Sequence, residues 1–436
     1  MEEDRCQRID ESVVFDCRCC GACCSAPWRI TLKGEQINRI QTHDWSKYPA
    51  FAGKTFFYPA ADGQPDRYDL AKNEAGRCLF LDTDRLCIIH KELGPEAKPF
   101  MCRQFPYLLT RTWTDDRVSV SYGCPAVQGR EGTPLPKHKE SIQALIPISK
   151  SPCRPEAPWA FDSKIRITPP EAEAFFDRAV RIFGDDREES LWTRFAELLT
   201  VLEAVREFKE PARNEPGVMI DFLKSETVRP EGSATAEVQG YENPSLAPLG
   251  SRFLFAATLF PDTLTRDSRS SGGLFQRLRR IPKLLALAGL AGEYSSLFLG
   301  RRINVTDLME AQMAPAIPDS ARGLLLRYFR SRFWQRFPSG THLTIVSGIH
   351  QHIHDFNAVL FFARALYLGR GDTAISNEDI GAALQIVEFH LANQIRLYTH
   401  TLKGYLKSAL DSLPLAAASL RLMAPKHPAP VLETVG

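Results

Sequence analysis

Apolar positions come in short runs over the first third of the chain and in long helical stripes over the rest. Trp28-Arg-Ile-Thr-Leu32 alternates as a half-buried strand does. A Lys33-Gly34 turn follows, and Ile37 and Ile40 stand at helical spacing within Glu35 to Gln41. Residues 42–74, rich in Pro, Gly, Asp and aromatics, read as a long ordered loop. Cys78-Leu-Phe-Leu-Asp82 and Leu86-Cys-Ile-Ile-His90 read as the arms of a hairpin turning at Asp82-Thr-Asp84. Val118 to Tyr122 reads as a strand running into Gly123-Cys124-Pro125.

A polar, proline-rich stretch from about Pro152 to Pro170 precedes the helical stripes. Leu191, Phe195, Leu198, Leu202 and Val205 mark one face of an amphipathic helix, and Ile345, Ile349, Ile353, Phe356 and Leu360 mark another. Ser376 with Asp379 forms a capping box opening a third, with Ile380, Leu384, Val387, Leu391 and Ile395 inside. Linkers are expected near 229–248 and 261–273, and a frayed tail after Pro425. The fold class predicted is α+β, predominantly α. A small α+β metal-binding domain at 1–155 is followed by a mainly helical domain at 156–436.

With 436 residues there is room for two cores, and 44% hydrophobic with 24% charged residues is an ordinary globular balance. A net charge of +2 gives no reason to expect nucleic acid as partner. The polar N-terminus has no signal segment, and the longest aliphatic run, Leu284 to Gly292, is too short to span a bilayer. A cytoplasmic protein without membrane contact is therefore expected, in a compartment that keeps thiols reduced.

Cysteine placement changes the picture most. All 11 cysteines lie between Cys6 and Cys153. Five of them crowd into Cys17-Arg-Cys19-Cys20-Gly-Ala-Cys23-Cys24, where Gly21 and Ala22 are small enough for the backbone to curl and offer N–H groups to sulfur. Thiolates this close repel one another unless a cation neutralises them or they oxidise, so the loop reads as a soft-metal site first and a disulfide knot second. The spacing continues as Cys78-x8-Cys87-x14-Cys102-x21-Cys124, giving eight thiols, enough for two four-coordinate sites or one site and a redox pair. On an extended backbone Cys23 and Cys24 would diverge toward different centres, although a helical turn would reunite them. The close-set C-x2-C-x2-C and Cys124-Pro125 resemble [4Fe–4S] ligand runs, whereas paired C-x2-C knuckles would favour zinc; both metals stay open. The radical pattern C-x3-C-x2-C is absent, since Cys19-x3-Cys23 would need a cysteine where Ala26 stands.

Cys17-x2-Cys20-x2-Cys23-Cys24, Cys78-Leu-Phe-Leu, Cys87-Ile-Ile-His, Cys102-Arg-Gln-Phe-Pro and Gly-Cys124-Pro together resemble the YkgJ-type cysteine-cluster family, over about residues 15 to 126. The resemblance implies a zinc- or iron-chelating domain whose ligands are Cys17, Cys20, Cys23, Cys24, Cys78, Cys87, Cys102 and Cys124, with Cys6, Cys19 and Cys153 outside the set. Longer members include flagellin lysine-N-methylase, similar here around Leu86 to Gly94. That branch implies S-adenosylmethionine and a protein substrate, although the opening loop here is more compact than that branch shows.

Other candidates weigh less. Arg103 could offset thiolate charge or form an ordinary ion pair, and His90 could ligate or support Cys87. His350 and His354 share a helical face, with His352 and Asp355 beside them, but no zincin glutamate stands between them. Arg322, Arg327, Arg330, Arg332 and Arg336 interleave with Tyr328, Phe329, Phe333 and Trp334, which reads better as a packed helix than as a nucleic-acid grip, as does Arg277-Leu-Arg-Arg280. No nucleotide-binding glycine loop for a doubly wound methyltransferase is present, nor a P-loop or a G-x-S-x-G elbow. Because 17–124 has few long apolar elements, ligation is expected to supply folding energy. Three functions follow: a cysteine-cluster protein carrying an iron–sulfur cluster or zinc, an S-adenosylmethionine-dependent lysine methylase, or a zinc-stabilised interaction module.

Overall fold

The computed structural model describes residues 7–26, 28–60, 65–112, 115–145, 159–184, 188–209, 217–227, 247–259, 288–290, 292–296, 298–310, 317–336, 343–372, 374–391 and 409–423. Cys6, Cys153, Arg277–Arg280, Ile395, the 261–273 linker and the tail after Pro425 lie outside them, as does the 229–248 linker up to residue 246. The fold is α+β and predominantly α. It divides into two compact units, Met1–Pro152 with Glu388–His390, and Cys153–Val387 with Leu391–Gly436.

The first unit is built on two small three-stranded sheets. In one, Asp116–Val120 lies between Gln7–Ile9, parallel to it, and Tyr107–Arg111, antiparallel. In the other, Arg67–Leu70 is the middle strand between Thr31–Lys33 and Phe57–Pro59, all antiparallel. Two of these strands fall in the stretch expected to be a loop. Their signal is weak because each is only three or four residues long, and Tyr58 is 54% exposed, so no alternation develops. The second sheet and the helix Gly34–Gln41 share a core of Ile30, Leu32, Ile40, Trp45, Phe51, Leu70 and Phe80. Trp45, Phe51 and Phe80 meet with ring centroids 5.0 to 5.5 Å apart, in the tilted and edge-on geometries aromatic quadrupoles favour.

The expected hairpin at Cys78 to His90 forms only at its turn. Asp82 and Leu86 exchange backbone and side-chain hydrogen bonds across Arg85, whose φ is 64°, and Leu81 bridges Cys87. The second arm then becomes the helix Ile88–Leu93, ending at Gly94. Its buried residues, Ile88 and Ile89, suit the inner face of one helical turn as well as a strand.

In the second unit the helix Ile345–Arg370 is surrounded. Every residue from Ile345 to Ala365 is buried, so the expected amphipathic stripe is a helix buried on all faces. Helices Ala247–Leu259, Asn377–Ile386 and Leu413–Leu420 pack against it. Ser376 caps Asn377–Ile386 through the capping box, its hydroxyl accepting from the Asp379 N–H. Leu191–Phe208 carries the predicted face, with Phe195 meeting Phe183, Phe329 and Phe356. Of the arginines on Asp319–Trp334 and just beyond, Arg336 is fully buried and pairs with Glu173 at 2.6 Å and Asp177 at 2.5 Å, and Arg322 pairs with Asp319. Among the described residues no helix is long and apolar enough to cross a membrane.

Candidate metal centre

The cysteine loop begins without regular structure at Cys17 and turns back through two left-handed residues, Cys19 at φ 53° and Gly21 at φ 71°. Gly21 is required there twice over. Its φ favours glycine, and a Cβ would come within 3.1 Å of the Arg85 Cβ and 3.2 Å of a Leu81 methyl. The loop then closes as one helical turn, Ala22–Ser25, with the Cys24 and Ser25 N–H groups donating to the Gly21 carbonyl. That turn brings Cys23 and Cys24 together, their sulfurs 4.0 Å apart. The divergence expected of an extended backbone does not occur.

Hydrogen bonds tie the distant cysteines to this turn. The Cys78 N–H donates to the Cys24 carbonyl at 2.8 Å, and the Leu81–Cys87 bridge and the Ile88 N–H to Phe80 carbonyl bond bring the next thiol in. Cys102 sits on the short helix Phe100–Gln104, and it packs with Cys24 and Cys87 on the edge of the aromatic core. Cys23, Cys24, Cys78, Cys87 and Cys102 therefore form one set, each within reach of its neighbours' charge. Cys124 feels Cys20 and Cys17 instead, and Cys19 feels Cys17 and Cys20. The eight predicted positions thus fall into a half-buried five-thiol set and a more exposed group of Cys17 and Cys20 with buried Cys124.

Backbone N–H groups act on several of these sulfurs. Cys87 is the N-cap of Ile88–Leu93, where the His90 and Ile89 N–H groups favour its thiolate, and Cys124 is the N-cap of Pro125–Gly129, where those of Val127 and Ala126 do the same. The Phe80 N–H favours the Cys78 thiolate and that of Cys24 favours the Cys23 thiolate. Burial works against their effect. It pushes the Cys78 and Cys124 thiols up to about 11 and raises Cys87 and Cys102. Cys23 moves the other way, down to about 7, because the Cys24 thiol donates to it; Cys24 is raised for the same reason.

Lys98 is the cation that favours the thiolates of Cys19, Cys23, Cys87 and Cys102, and Lys72, donating to the Ala26 carbonyl at 2.5 Å, does so for Cys78. Neither lysine was picked out by sequence. Arg103, which was, pairs with Glu96 at 2.7 Å. His90 serves Cys87 with its backbone N–H while its ring is exposed. The histidines of Ile345–Arg370 are packed groups: His350 donates from Nδ1 to the Leu410 carbonyl and meets the Ser419 hydroxyl, and His354 stacks on it at 4.8 Å. An open cleft of about 440 Å³ in the first unit is lined by Asn38, Gln41, Asp66 and Tyr68 and by no cysteine.

The donor set suits a soft metal. Tetrahedral zinc with Zn–S bonds of about 2.3 Å separates its thiolates by roughly 3.8 Å, close to the 4.0 Å of the Cys23–Cys24 pair. Among the described residues no three His, Cys, Asp or Glu groups already stand at ion-binding spacing, so the remaining thiols would have to close in by side-chain rotation.

Residues 16–124 match the family described as "CxxCxxCC: Putative zinc- or iron-chelating domain". Among curated proteins, "Uncharacterized protein MJ0939" of Methanocaldococcus jannaschii is 31% identical over 104 residues, 24% of this chain and 33% of that protein. "Flagellar biosynthetic protein FliU" of Salmonella muenchen is 27% identical over 112 residues, 26% of this chain and 66% of that protein. "Lysine-N-methylase" of Salmonella typhimurium is 40% identical over 55 residues, 13% of this chain and 14% of that protein. The chain thus spans less than two thirds of each of these relatives. No solved structure matches. Residues 16–124, about a quarter of the chain, are thus similar to the family described as a zinc- or iron-chelating domain.

Proposed function

We propose that the first unit holds a thiolate-bound metal centre on Cys17, Cys20, Cys23, Cys24, Cys78, Cys87, Cys102 and Cys124, in the form of an iron–sulfur cluster. The gathering of Cys24, Cys78, Cys87 and Cys102 at the aromatic core, with the Cys23 sulfur 4.0 Å from that of Cys24, is the observation that carries this reading. Burial raises most of these thiols, so a cation is needed to hold them as thiolates at neutral pH. The C-x2-C-x2-C loop supports a cluster in particular, and so do the backbone N–H groups, which tune the reduction potential of such centres. When bound, the group would supply one-electron chemistry or a structural clamp. The chain's own residues place Cys87 and Cys124 at helix starts, where backbone N–H groups favour their thiolates, and set Lys98 against the thiolate charge.

Zinc is the second reading, favoured by the 4.0 Å Cys23–Cys24 spacing. Substituting Cys20 or Cys102 by Ser tests the ligand set. Both variants are expected to lose metal and Cys153→Ser to keep it; equal metal in all three would overturn the assignment.

The use of the centre is a further proposal. The stretch shared with the lysine-N-methylase supports S-adenosylmethionine-dependent methylation of a protein lysine. In that case S-adenosylmethionine at about 100 times its Kd stabilises the protein by about 2.7 kcal/mol, read as a raised unfolding temperature. No shift at saturating concentration would leave a metal protein without that activity, electron-transferring or serving as an interaction module.

A further inference from the structure

The first unit takes one short piece from far along the chain, Glu388–His390. The piece lies in a π-helical turn, Val387–Leu391, that follows the helix Asn377–Ile386; single wide turns of this kind gather at functional sites. Two of its side chains engage the turn that leads into Cys124. The Ser121 hydroxyl donates to Glu388 Oε2 at 2.6 Å, 267 positions away, and accepts from the Gly123 N–H at 3.2 Å. Ser121 and Glu388 are both buried, and the Cys124 N–H donates to the Ser121 carbonyl. The Phe389 ring lies on Gly123: a Cβ there would stand 2.6 Å from its Cε1 and 2.8 Å from its Cζ. Gly123 has no left-handed φ, so space and not backbone conformation requires glycine at this position. The same ring meets Trp28 and Phe105, with centroids 5.1 Å and 6.1 Å away. Trp28 comes four residues after Cys24, and Phe105 three after Cys102. One phenyl ring therefore touches three stretches that carry thiols from distant parts of the sequence.

We propose that Phe389 is a positioning residue for the metal centre. Seated on Gly123 and backed by the Ser121–Glu388 bond, it fixes the stretch bearing Cys124 against those bearing Cys24 and Cys102, and it ligates nothing itself. Its effect on metal rests on the metal reading, whereas its seat on Gly123 does not. Groups that orient metal ligands from outside are worth about tenfold or more in metal affinity. Coupling between two equilibria is reciprocal, so bound metal in turn holds the 387–391 turn in place.

The test is a double-mutant cycle on the full-length protein, read as release of its own iron or zinc to excess EDTA. Phe389→Ala and Gly123→Ala are each expected to speed release about tenfold, the second because its methyl displaces the ring. The double variant is expected to be no faster than the faster single one, since the nearest neighbours of that methyl are atoms of the ring. Phe389→Leu, which keeps apolar bulk on Gly123, is expected to recover most of the retention. Amide exchange in peptides covering 387–391 is expected to be slower in loaded than in EDTA-stripped protein, a difference that a ring packed only for stability would not give. Effects that multiply in the double variant, unchanged release in Phe389→Ala, or equal exchange in the two states would overturn the proposal while the metal reading stands. Protein that takes up neither iron nor zinc overturns the metal reading; the cycle is then read on urea midpoints, where additive losses overturn the seat on Gly123 as well and non-additive losses uphold it.

Discussion

Gly21→Ala puts the geometry of the cysteine loop to a quantitative test. At φ 71° an alanine meets the left-handed penalty, about 1–2 kcal/mol. Its Cβ would also lie 3.1 Å from the Arg85 Cβ and 3.2 Å from a Leu81 methyl, both attached to the turn that carries Cys87. Easing two such contacts adds about 1 kcal/mol, for a total of about 2–3 kcal/mol. Gly53→Ala is the control, because Gly53 has φ 67° but nothing within 4 Å of its would-be Cβ. It should cost the backbone term alone, about 1–2 kcal/mol. Urea unfolding followed by tryptophan fluorescence, in the presence of a chelator, reads the difference. With a slope of about 2 kcal/mol/M, the midpoint falls by roughly 1–1.5 M for Gly21→Ala and 0.5–1 M for Gly53→Ala. Equal midpoints for the two variants would refute the close approach between the loop and the Arg85 turn.

Lys98→Met should release metal to a competing chelator a few-fold more readily, whereas Lys98→Arg should restore retention; unchanged competition in the methionine variant would remove Lys98 from the site's electrostatics. Burial holds His350 down to about 4 from an ordinary 6.5, so the unfolded chain takes up its proton first. Its contribution is complete above pH 6.5 and falls as pH drops toward 4, by about 3 kcal/mol, and His350→Gln should flatten that part of a stability–pH curve. Arg336→Met leaves Glu173 and Asp177 without their shared cation, but both carboxylates can regain water. A loss of about 2 kcal/mol is expected, read as a fall of roughly 4–8 °C in the unfolding temperature of a unit this large. No fall would mean the pair contributes nothing net.

The sequence made some of this plain because single residues dictate local geometry. The capping box at Ser376, the face of Leu191–Phe208 and the small residues in the cysteine turn are all set by neighbours within a few positions. Two strands of the second sheet, Phe57–Pro59 and Arg67–Leu70, were hidden because runs of three and four residues with an exposed Tyr58 leave no periodic trace. The helix at Ile88 was hidden because Ile88 and Ile89 fit either element. His350 and His354 stood beside the apolar stripe in the sequence, but their full burial was not legible there, because it comes from helices that pack on every side of Ile345–Arg370. Lys98 could not be found because its role depends on a turn that brings residues 17–24, 87 and 102 toward it in space.

The central claim is that the converging thiols hold a metal centre. Metal and acid-labile sulfide content after anaerobic purification, with a visible spectrum of the same sample, tests it most directly. Iron and sulfide in matching amounts with a brown colour is the result predicted here; zinc without sulfide would leave the thiol site standing but refute the cluster. Protein purified in full without either metal would contradict the account.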